Sequence, residues 1–157
     1  ARDLKIKLPV VPAKGYSIDV DRSEGFPNMP LRMGEAHVAF TPLGDQRARF
    51  AGTLEFTGID TSITGPRVAG ILQAIRHYLQ IDGPWEKATP WAGLRPCTPD
   101  GMPLIGRLNN HPNVIVATGH AMVGLTLSPV TGLMVSQIAN GTTPDLYSPM
   151  LDPNRFT

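Results

Sequence analysis

Trp91-Ala92-Gly93-Leu94-Arg95-Pro96-Cys97-Thr98-Pro99-Asp100-Gly101-Met102-Pro103 places a single arginine between a glycine and a proline. The prolines limit backbone freedom, so the guanidinium fork of Arg95 can be aimed at a carboxylate, the planar partner it fits at two points. A plainer role stays open beside that one, in which Arg95 only ties loop carbonyls together. The second chemically promising stretch is Gly119-His120-Ala121-Met122-Val123-Gly124, which follows an apolar run and precedes a helical pattern. A strand, a glycine-bounded turn and a helix present free backbone N–H groups and a positive dipole end to a ligand, whatever side chains they carry. His120 beside this turn could contact a ligand, order the turn, or act as a general base. His37, His77 and His111 are scattered without ligand spacing, so no metal site is expected. Tyr16 is a candidate for lining a site, against the more common structural role of a strand tyrosine. Cys97 reads as a small loop packer, and Asp100-Gly101 as a turn.

These residues need elements to hold them. Lys14 to Val20 alternates bulky and polar residues, the period of a half-buried strand. After a loop from Gly25 to Pro30, the segments Ala36 to Thr41 and Arg47 to Phe56 read as an antiparallel hairpin around Pro42-Leu43-Gly44-Asp45. Pro66 suits the first turn of a helix. Val68, Ile71, Leu72, Ile75, Tyr78 and Leu79 then recur at helical spacing, predicting a helix to Leu79 packed on the sheet. Pro84 to Pro103 is rich in proline and glycine and reads as an ordered loop or short strand pieces. Asn113 to Thr118 is a β-branched run, read as a strand buried on both faces. Leu125 to Ala139 reads as a helix with Leu127, Val130, Thr131, Met134, Val135 and Ile138 on one side, Pro129 in its first turn and Gly141 past its end.

Composition narrows the classes. With 157 residues and 41% hydrophobic content the chain can build a core, and 14 basic against 13 acidic side chains leave a net charge of +1. That balance gives no broad field for collecting nucleic acid or an anionic membrane. No stretch reaches the ~20 apolar residues of a membrane span. One cysteine forms no internal disulfide, so a reducing, cytoplasmic setting fits. Ala1-Arg2-Asp3-Leu4-Lys5 has neither an initiating Met nor the form of a signal peptide, which is expected of a cut or processed piece. The 16 glycines and 16 prolines are spread along the chain, so frequent sharp turns are expected and not a disordered tract.

Several of these segments, in order, resemble the C-terminal signature of the D-amino-acid oxidase family of FAD-dependent oxidoreductases. They are Trp91 to Pro96, Thr98 to Gly101, Asn113 to His120, Gly124 to Pro129 and Thr131-Gly132, with Pro12 to Ser17 resembling the family's path into its substrate-domain sheet. The small-subunit type of bacterial D-amino-acid dehydrogenase is the most similar branch, with glycine and sarcosine oxidases as neighbours. The resemblance implies that Arg95 binds the substrate carboxylate. It also implies that Gly119, His120, Ala121, Met122, Val123, Gly124, Leu125 and Thr126 form the turn against the flavin ring, and that the Met122 carbonyl receives the substrate amine. Glycine oxidases carry a second arginine where this chain has Met122, so a two-arginine clamp is not expected. The substrate implied is a small amino acid or amine, D-amino acids or glycine- and sarcosine-like amines among them. No Gly-x-Gly-x-x-Gly follows a strand, so the contacts to the cofactor's ADP are expected from an FAD-binding half outside this sequence.

The expected fold is α+β: an antiparallel substrate-domain sheet with a packed helix, and a returning strand and helix of the FAD-binding domain. Residues of about 9–84 would serve the substrate domain and about 85–157 would face the flavin. Alone, the chain is expected to be inactive and to self-associate through surfaces its missing half would cover. The whole enzyme is expected to be cytoplasmic or peripheral to the inner membrane. The rival reading is a non-catalytic module that binds a small carboxylate or a protein.

Overall fold

A computed structural model describes residues 6–156, so the reading of Ala1 to Lys5 falls outside it. The chain forms two compact units, one of residues 14–94 and one of residues up to 13 together with those from 95 onward.

In the 14–94 unit, antiparallel strands β1 (Val11–Asp21), β2 (Leu31–Met33), β3 (Val38–Leu43) and β4 (Arg47–Glu55) form a sheet with β5 (Thr89–Cys97), in the order β2-β3-β4-β1-β5. The hairpin register sets Phe40 opposite Phe50, and Phe50 opposite Ile18 on the other side. These aromatic and β-branched cross-strand neighbours form the centre of the core. Helix α1 (Gly65–Leu79) has Pro66 in its first turn and buries Ile71 and Ile75, one turn apart. Gly52 lets it approach the sheet, since a Cβ there would stand 3.1 Å from Val38 and 3.3 Å from Ile71. Truncating Ile75 in such a core costs about 2–5 kcal/mol.

Between Lys14 and Tyr16 the pairing slips: Lys14 faces Glu55 while Tyr16 faces Gly52. The extra residue is accommodated around Thr53, whose φ of 67° lies where a β-branched residue is strained. The bulge turns Glu55 toward Lys14 and Tyr16.

Two expectations change. The segment from Pro84 to Pro103, read as an ordered loop or short strand pieces, holds β5, a full nine residues long, because Pro90 and Pro96 lie on an edge strand where a missing N–H is tolerated. It is followed by β6 (Leu104–Leu108), which pairs with β7 (His111–Thr118) in a two-stranded antiparallel sheet. Of β7 only Val116 is buried, so the run read as buried on both faces is covered here on one. Its β-branched composition reports what the strand suits, not what lies against it.

Helix α2 (Gly124–Ala139) turns the expected face inward, with Met134 buried and Leu127, Val130, Thr131, Val135 and Ile138 half-buried. Pro129 stands at its sixth residue, past the first turn where it was expected. The Ser128 hydroxyl donates to the Leu125 carbonyl at 2.8 Å, the acceptor that Pro129 leaves without an N–H. Gly141, at a φ of 77°, closes the far end with its N–H on the Ile138 carbonyl. No helix among the described residues is long and apolar enough to cross a membrane.

Candidate functional site

Arg95 lies near the end of β5, and its Nη1 is buried. Among the described residues it is the one buried side-chain nitrogen or oxygen without a hydrogen-bond partner. Among the described residues Arg95 makes no hydrogen bond to a loop carbonyl. A buried guanidinium nitrogen left unpaired is costly, and a carboxylate is the group that would satisfy it.

The next residues fasten Arg95's strand to the glycine turn. The Pro96 carbonyl accepts the Ala121 N–H at 3.0 Å, and Cys97 and His120 form an antiparallel bridge. Gly119 has a φ of 81°, and a Cβ there would stand 2.6 Å from the Thr98 methyl, so only glycine gives this close passage. The turn continues through Ala121, also at positive φ, and the Val123 N–H closes it on the His120 carbonyl.

Helix α2 then starts without a side-chain cap and without an acidic residue in its first turn. The N–H groups of Gly124, Leu125 and Thr126 have no acceptor in their own helix. Around them stand Met122, Val123 and Leu125, exposed at 72%, 49% and 91%. Large apolar side chains beside bare N–H donors suit a flat ring with an electron-rich edge. This mouth fits the ring end of FAD, whereas no glycine-rich strand-helix turn for its pyrophosphate occurs in the sequence. The Met122 carbonyl accepts no hydrogen bond among the described residues.

His120 reaches Thr131 on α2, Nε2 to Oγ1, at 3.0 Å, and burial lowers its pKa below the ordinary 6.5. Of the roles open to it, ordering the turn has a visible contact. Tyr16 is in the core of the 14–94 unit. Its hydroxyl donates to Glu55 at 3.0 Å and lies 3.2 Å from the Thr64 hydroxyl, so that polar tip is already committed.

Sequence reading missed the neighbour of that tyrosine. Lys14 is 1% exposed, and its Nζ stands 2.8 Å from Asp60, 3.4 Å from Glu55 and 3.0 Å from the Ser62 carbonyl. The Asp60 carboxylate raises the lysine to about 12, and the lysine in turn lowers Asp60 to about 2. Lys14, Tyr16 and Ile18 alternate on one strand, and a lysine in register with core residues signals an acid partner nearby. Asp100, read as part of a turn, does build one, with its carboxylate accepting the Met102 N–H at 3.0 Å. It is also gripped by Arg155, a residue no motif singled out.

Comparison with known proteins gives a family and a set of relatives. The model of a family described as FAD dependent oxidoreductase matches residues 1–138. A D-amino acid dehydrogenase of Paramagnetospirillum magneticum is 38% identical over 159 residues, covering 100% of this chain and 37% of the relative. One from Methylobacterium radiotolerans is 34% identical over 157 residues, covering 99% and 37%. Among solved structures, glycine oxidase from Geobacillus kaustophilus superposes with a TM-score of 0.84 at 24% identity, covering 97% of this chain and 41% of that one. L-proline dehydrogenase from P. horikoshii gives 0.79 at 23%, covering 98% and 42%. At those identities the two structures speak for the fold alone. The chain thus spans about 37% of the length of the curated relatives it matches, and along that part it belongs to the FAD dependent oxidoreductase family.

Proposed function

We propose that the whole protein oxidises amino acids, D-amino acids first among them, and that this chain supplies the substrate's carboxylate site and the ring end of the flavin site. The observation that carries this reading is the buried, unpartnered Nη1 of Arg95 on a strand hydrogen-bonded to the Gly119–Gly124 turn. The name shared by the two curated relatives described above favours D-amino acids over the other substrates of the fold.

When bound, FAD supplies a hydride acceptor for the substrate α-carbon. Arg95 holds the substrate carboxylate at two points, which fixes the direction in which the α-carbon points. The Met122 carbonyl accepts an N–H of the substrate amine. The bare N–H groups of Gly124 to Thr126 favour negative charge before the helix without moving. Met122, Val123 and Leu125 keep water from that mouth. His120 serves by holding the turn, since hydride removal from a neutral amine asks more for orientation than for a protein base. The resulting imino acid hydrolyses in water to a keto acid and ammonia.

The test is Arg95→Lys in the full-length protein. Lysine keeps the charge and loses the planar fork, so kcat/KM should fall by roughly 30- to 1000-fold, or ~2–4 kcal/mol, with FAD uptake retained. Kinetics on an amino acid and on the matching amine without a carboxylate provide the control. An equal loss on both would sink the carboxylate role.

A further inference from the structure

We propose that Arg155 is a positioning residue for both halves of this site, locking the Thr98–Pro103 turn that braces the Arg95 strand and the Gly119–Gly124 turn at once. The inference rests on the reading of Arg95 and the glycine turn given above. Arg155 lies beyond residues 1–138, the span that the family model matches.

Its guanidinium makes five hydrogen bonds. Nε and Nη2 take the two Asp100 carboxylate oxygens at 2.8 and 2.9 Å, Nη2 also takes the Met102 carbonyl at 2.8 Å, and Nη1 takes the carbonyls of Pro103 at 3.3 Å and Asp152 at 3.0 Å. The fork therefore uses its whole donor set, with the side chain only 13% exposed. The Arg155 guanidinium holds the Asp100 carboxyl far below the usual carboxylate range, so the pair stays charged at any working pH.

The turn so gripped leads directly to the site. The Thr98 hydroxyl donates to the Met102 carbonyl at 2.7 Å, which points the Thr98 methyl against Gly119. One residue back, Cys97 bridges His120; one further, Pro96 holds Ala121; the next is Arg95. Every step from Arg155 to Arg95 is a hydrogen bond, a close packing contact or a peptide bond. Loosening the turn frees the guanidinium and the helix mouth together, and a misplacement near 1 Å at reacting groups costs on the order of 100-fold.

The experiment uses the full-length flavoprotein, with rates expressed per bound flavin and propionate as a non-reacting carboxylate read through the flavin absorbance. Arg155→Met and Asp100→Asn should each raise KM and the propionate Kd by about 10-fold and shift the flavin spectrum. Arg155→Lys, with charge but no fork, should recover part of the loss. The double variant should be little worse than either single one, because the two share one interaction. Lower flavin content or melting temperature with KM, Kd and spectrum per bound flavin unchanged would make Arg155 a mere stitch and overturn the proposal. If Arg155→Met fails to fold, Asp100→Asn and Arg155→Lys decide the matter through the same KM, Kd and spectrum. Arg95→Lys is measured in parallel. Unchanged propionate binding there overturns the carboxylate reading itself, whereas binding lost there but kept in Arg155→Met overturns the clamp alone.

Discussion

At Gly119 two constraints meet in one residue: a φ of 81° that L side chains rarely adopt, and a Thr98 methyl where a Cβ would have to go. Gly119→Ala should therefore destabilise the protein by about 1–3 kcal/mol in chemical denaturation. Thr98→Ser, which removes that methyl, should recover the steric part and leave the backbone strain. His120 adds a pH dependence. Burial holds its folded pKa below 6.5, so its contribution to stability is complete above pH 6.5 and is lost as pH falls through the lowered value. His120→Gln, which can keep a bond to Thr131, should flatten that part of a melting-temperature profile between pH 5 and 8. Arg95 could be picked out as a candidate because Gly93 and Pro96 stand beside it in sequence. Lys14 and Arg155 were not, since their partners Asp60 and Asp100 stand 46 and 55 residues away and only the folded chain brings them together.

At the scale of elements, periodicity was a good guide wherever one face meets a core within this chain. Helix α1 and the β3–β4 hairpin fall within a few residues of where their apolar spacing put them. Strand β5 was obscured because two prolines read as loop until its edge position is known, and β6 because its neighbours carry the turn signals. The segment after β4 gives a test of its own. Asp60 and Ser62 fasten residues 56–64 to the sheet through Lys14, although Phe56 and Ile59 point into solvent. Asp60→Asn should speed limited proteolysis in this segment and lower the melting temperature. The lysine makes Asp60 a depressed carboxyl, so its contribution is complete above its ordinary 3.8 and lost as pH falls through about 2. Lys14 contributes below its ordinary 10.5 and stops as pH rises through about 12. Between pH 5 and 9 the difference between wild type and Asp60→Asn should therefore stay constant.

At the scale of the whole molecule, the chain carries the proposed carboxylate and ring-end site, and no Gly-x-Gly-x-x-Gly follows a strand in it. By itself it should turn over no D-amino acid, and stoichiometric yellow cofactor surviving gel filtration would contradict that. Its bare apolar side chains, Ile59 and Leu125 most of all, and a net charge of +1 favour association of copies, since little repulsion opposes it. Light scattering that gives a stable monomer at high concentration would count against this. The Asp100–Arg155 pair has one more consequence, in the order of synthesis. Every group of the proposed site from Arg95 to Thr126 leaves the ribosome before Arg155, so the turn beneath them stays unlatched until translation has passed the helix that follows. Messages cut short after Tyr147 would yield chains with the proposed site residues on a loose frame, ready substrates for degradation, and a pulse-chase comparison of their half-life with that of chains carrying Arg155 would reveal whether the latch protects the protein in the cell.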